Sequence, residues 1–179
     1  VLVATCATML SNPAPAMAQT VDPALQKLAD TYAPIAMLRE QSGPCDKDGE
    51  GYFPSPVDWI FDNPEIRLRA DAGGTVANDP ILAEGFAPAD LAAAGPGTYI
   101  DFPNDPRHPG CRYERYFKEN AARFGLQPTA YAHVAIDEGK RKIYLQYWFW
   151  YLFNDWNNLH ESDWEMVQLV FDTADPVDA

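Results

Sequence analysis

The chain has 179 residues, 47% of them apolar and 13% aromatic, with a formal net charge of −13 and a pI near 4.4. That is enough apolar material for the core of one domain, and it excludes an intrinsically disordered chain. The acidity argues against a nucleic-acid backbone as partner, and against an anionic bilayer unless divalent cations bridge the contact.

Residues 1–18, "VLVATCATMLSNPAPAMA", carry no charge and end in Ala16-Met17-Ala18, the small-x-small pattern of a signal peptidase site. We expect a partial secretory signal cut before Gln19. That leaves residues 19–179 as one exported domain, secreted, periplasmic or at the cell surface. In that setting Cys45 and Cys111, an even pair in Gly/Pro-rich loops, are expected to form a disulfide. Zinc is the competing use, with only His108 as a nearby extra ligand.

Asp22-Pro23 before "ALQKLADTY" supplies a cap, a proline at the first helical position and apolar spacing, so a short helix is expected there. "APIAML", Ala33 to Leu38, reads as a buried strand, and "SGPCDKDGEGYFPSP" as a turn-rich loop. A helical turn at Val57–Phe61 and a strand over Glu65–Arg69 follow. Between 71 and 112 periodicity is weak, with a helical turn at "PADLAAA" and a short strand at "TYIDF". Arg112 to Phe124 places Tyr113, Tyr116, Phe117, Ala121 and Phe124 on one helical stripe. "TAYAHVAI", the turn "DEGK" and "KIYLQYWFWYLF" form a hairpin whose second strand is bulky on both faces, as in a sheet covered on both sides.

The pattern as a whole predicts a mainly β fold, an antiparallel β-sandwich (jelly-roll-like) with a few peripheral helices. The apolar run Tyr147–Phe153 is far shorter than the ~20 residues of a transmembrane helix. The last strand stops near Phe171, close to where the sequence ends, so the domain is expected to be truncated at its C-terminus.

In "NDWNNLHESDWEMVQLVF", alternation along a strand puts Asp163, Glu165, Val167, Leu169 and Phe171 on one face, its entrance lined by two acids. Burying carboxylates without compensation is costly, so a cation, a basic side chain or a pKa shift must neutralise them. His160 lies three residues before Asp163, and Asp155 lies across the loop "WNNL". Three carboxylates and an imidazole suit a hard or borderline ion: Mg, Ca or Mn, with Zn open. The equally weighted alternative is that His160 and Glu161 cap a turn while Asp163 and Glu165 pair with Arg112, Arg115 or Lys118. Of the other acids and imidazoles, "DKDGEG" reads as a solvated turn, His133 as a half-buried strand residue and His108 as loop surface. No nucleophile elbow, phosphate loop or HExxH helix is present.

The segments "YAPIAMLREQ", "YFPSPVDWIF", "AYAHVAI", "QYWFWYLFN" and "HESDWEMVQLVF" together resemble the vacuolar protein sorting-associated protein 62 family over most of residues 29–171. Ser162 stands where that family usually has glycine. A more distant likeness is to the necrosis- and ethylene-inducing peptide-like proteins, secreted β-sandwich cytolysins whose heptapeptide also contains H-x-x-D-W-E. It implies a divalent cation on Asp155, His160, Asp163 and Glu165, used in recognising a glycosphingolipid headgroup. Leu159, Glu161 and Ser162 depart from that motif, which weakens the toxin reading more than the ion.

The expectation is therefore an exported cation-binding domain engaging a glycan or lipid headgroup. A metal-dependent hydrolase, with Glu165 or His133 as general base, is the alternative; no catalytic residue is assigned.

Overall fold

The computed structural model describes residues 22–179 apart from 47, 50, 74 and 75. The expected signal peptide, residues 1–18, lies outside them. The chain runs α1 (Pro23–Thr31), β1 (Arg67–Ala70), β2 (Ile81–Glu84), α2 (Pro88–Ala93), β3 (Thr98–Asp101), α3 (Arg112–Phe124), β4 (Tyr131–Asp137), β5 (Lys142–Asn154) and β6 (His160–Phe171), with a 3-10 turn at Asp58–Ile60. Two antiparallel three-stranded sheets result, in the orders β2-β1-β3 and β4-β5-β6. The fold is mainly β with peripheral helices, as expected.

Helix boundaries follow local chemistry. Asp22 Oδ1 accepts from Ala24 N–H at 2.8 Å, and Pro23 opens α1 where its missing donor costs nothing. α3 ends at Gly125, whose left-handed φ of 63° suits the residue that closes a helix. Glu114 in its first turn and Arg123 in its last oppose the helix dipole in the favourable sense.

β5 is the centre of the molecule. On one face Trp150 and Leu152 pack with Leu68 of β1, Phe102, and Tyr113 and Phe117 of α3 in the main core. On the other, Ile143, Leu145 and Tyr147 are covered by Leu28 and Ala29 of α1, and the Tyr147 hydroxyl donates to the Ala29 carbonyl at 2.6 Å. Bulk on both faces of this strand is thus explained by cover on both faces. β6 is the outermost strand of its sheet, and Trp164, Met166, Val167 and Val170 on it remain substantially exposed.

One expected element does not form. Residues 33–38 belong to no strand, and Ile35 and Met37 are 90% and 91% exposed. The run has β-like composition but no neighbouring strand to pair with, and pairing, not composition, makes a strand. The short strand β2 was not expected, since "ILAE" shows no alternation; it exists by pairing with β1.

A disulfide joins Cys45 to Cys111, with Cα atoms 5.5 Å apart. It ties the loop after residue 40 to the start of α3.

Candidate functional site

The β5–β6 ladder pairs Tyr151 with Asp163 and Phe149 with Glu165, so both acids share the face that carries Val167, Leu169 and Phe171. Strict alternation would send His160 to the opposite face. Ser162, with a left-handed φ of 60°, breaks the alternation, and His160 Nε2 lies 3.3 Å from Asp163 Oδ1. Asp155 is exposed in the loop between the strands.

Asp155, Asp163 and Glu165 line one cavity of about 800 Å³. His160 is not part of its lining and reaches it through Asp163. The same lining includes Asp46, Asp48 and Glu114, both cysteines of the disulfide, and Arg39. Asp46 and Asp48, in a stretch that reads from sequence as a solvated turn, therefore line the same cavity as the candidate acids. Asp46 does organise a turn, accepting from Ser42 N–H at 2.9 Å and Asp48 N–H at 3.0 Å. The Ser42 hydroxyl, then these amides, lower its pKa to about 2.

Glu114 is buried yet accepts from Gln41, Cys45 N–H and Lys118. Burial, the largest influence, raises its pKa, but these three donors together outweigh it and hold the pKa below the usual carboxylate value. Lys118 is thus engaged with Glu114. Among the described residues neither Arg112, Arg115 nor Lys118 forms an ion pair with Asp163 or Glu165. The arginine-paired alternative is not what the fold builds.

Three carboxylates and an imidazole are a suitable donor set for a hard or borderline divalent ion. Among the described residues, however, no three His, Cys, Asp or Glu side chains converge as a ready ligand cage. The structure brings together Asp163 and His160 as a contact pair, and Asp155 and Glu165 only as neighbours on the cavity wall. His133 is exposed on β4 opposite Gln146, on the other face of the sheet from Glu165. Of the two bases considered for a hydrolase, only Glu165 reaches the cavity. His108 sits exposed beside Asp105, as expected of loop surface.

From the sequence, Glu161 reads as a turn cap and as a departure from the heptapeptide motif. It turns inward opposite Phe153, accepting from the Tyr113 hydroxyl and from Phe102 N–H. Burial raises its pKa to about 7. No local signal marks it, because its partners come from α3 and the end of β3.

No helix among the described residues is long and apolar enough to cross a membrane. No protein-family model, no curated protein and no solved structure matches this chain.

Proposed function

We propose that this chain is an exported cation-binding module in which Asp155, His160, Asp163 and Glu165 hold a divalent cation, Ca, Mg or Mn by preference and Zn as the borderline option. The ion offers open coordination positions to a polar ligand such as a glycan or lipid headgroup. One observation carries the reading: three of these acids open onto one cavity, and no Lys or Arg of α3 neutralises them. Carboxylates crowded on a wall with few counter-charges raise the local affinity for cations. The His160–Asp163 contact orients the imidazole toward the acids, and Ser162's backbone makes that contact reachable.

Calorimetric titration of the full chain with Ca, Mg, Mn and Zn tests it, with Asp163→Ala as the comparison. Saturable binding by the parent that is lost in the variant is the expected result. No heat from either protein refutes the reading. An ion that binds only the folded state should also add about 2.7 kcal/mol of stability at a hundredfold excess over its dissociation constant.

A further inference from the structure

The cavity is much larger than an ion needs, and its wall is built from two kinds of surface. Tyr52, Tyr151 and Trp156 contribute rings, with Met37 and Leu38 beside them. Between these stand Asp46, Asp48, Glu114, Asp155, Asp163 and Glu165, against Arg39 among the described residues of the lining. Carboxylates alone would mark only a solvated rim. An open cleft of about 800 Å³ with rings in its wall has the dimensions of a small-molecule site.

The chemistry of that wall narrows the occupant. An anionic group in contact with it would meet like charge. A metal ion held at Asp155, His160, Asp163 and Glu165 would leave Asp46 and Asp48 of the same lining without a counter-charge. A neutral sugar bound through that ion would still leave Asp46 and Asp48 uncompensated. Dispersed negative charge interleaved with aromatic faces instead matches a cation of low charge density, whose carbon shell contacts rings while its charge is balanced at longer range.

We propose that the ligand of this cavity carries an alkylammonium group, quaternary or primary, received by Tyr52 and Trp156 together with Asp48. This rests on the reading of the cavity as the ligand site, and not on the ion at Asp163. Tyr52 is held by tilted ring contacts with Phe117 and Phe153, at 5.6 and 6.3 Å, so its orientation is fixed before a ligand arrives. Its phenol is kept protonated first by burial and then by the negative fields of Asp155 and Glu114. Trp156 is 73% exposed in the β5–β6 loop, a large apolar surface in water.

The probe is choline, compared with its neutral isostere 3,3-dimethylbutan-1-ol, titrated into the full chain by calorimetry with and without chelator. Choline should bind at least about tenfold more tightly than the alcohol. Trp156→Ala and Asp48→Asn, both at exposed positions, should each weaken choline about tenfold while their melting curves stay at the parent's. Equal affinity for choline and the alcohol, no choline binding, or choline binding that both variants leave unchanged overturns the proposal. Calcium titration on the same samples separates the two ideas. Calcium binding without choline binding sinks only this inference, and choline binding without any metal binding sinks only the ion.

Discussion

The hydroxyl of Tyr113, on α3, donates to the carboxylate of Glu161, on β6. Tyr113 also stacks on Phe153, the β5 residue paired with Glu161, with ring centroids 4.1 Å apart. A helix and two strands thus meet at one half-buried acid, next in sequence to His160.

That acid should make stability depend on pH. Burial is the largest influence on Glu161, and Asp101 and Asp105 add to it; Tyr113 and Phe102 N–H pull the other way, leaving a pKa of about 7 against an ordinary 4.5. The folded state therefore holds a proton that the unfolded state has released between those values. Stability falls as pH rises from about 4.5 to about 7, by about 3 kcal/mol in total. Urea unfolding of metal-free protein at pH 5 and pH 8 measures the loss. Glu161→Gln should flatten that slope, and an unchanged slope would remove Glu161 as its source.

Asp46 works in the opposite sense at lower pH. Its carboxylate is favoured in the fold, so its contribution is present above 3.8 and is lost as pH falls toward about 2. Asp46→Ala should lessen the acid sensitivity of the loop below pH 4, read as protease nicking near residue 46.

The Cys45–Cys111 bond spans 66 positions, so opening it should cost about 4 kcal/mol in the chain-entropy description. Because it also holds the Asp46–Asp48 loop against α3, the Cys45→Ser, Cys111→Ser double variant should lose both stability and cation affinity. The denaturation midpoint and a metal titration read these separately.

Arg69 and Asp101 form a buried ion pair at 2.6 Å, and Arg69 also donates to the Asp79 carbonyl at 2.8 Å. Asp101→Ala removes the carboxylate that balances this buried guanidinium, leaving the Asp79 carbonyl as an uncharged acceptor, and should cost about 3 to 5 kcal/mol. A chemical denaturation shift of under 1 kcal/mol would show that the arginine escapes to water.

Leu152→Ala, at a fully buried position, should cost about 2 to 5 kcal/mol, whereas Ile35→Ser should stay within about 0.5 kcal/mol. Similar penalties for the two would mean that residues 33–38 are packed after all.

Much of the frame was legible because it is locally encoded. Asp22, Pro23 and Gly125 announce helix ends within a few residues, and the period of two from Asp163 to Phe171 fixes which side chains share a face. The extended run at 33–38 misled because its apolar residues say nothing about whether a partner strand exists. The acids of β6 were visible, but the other acids of the cavity were not, since Asp46 and Asp48 are brought there by long-range ties of their loop to α3, the bond between residues 45 and 111 and the contacts of Gln41 and Cys45 with Glu114. Glu161 was the least legible, as its environment is assembled from three distant segments.

The outermost position of β6 also shapes behaviour in concentrated solution. Among the described residues one flank of this twelve-residue strand pairs with no other strand, and such an edge is a template for another copy's backbone. Mutual repulsion between copies of charge −13 opposes that pairing in dilute buffer. Raising the ionic strength shortens the reach of that repulsion, so light scattering should grow with added monovalent salt, and a lysine introduced midway along the strand at Gln168 should suppress the growth.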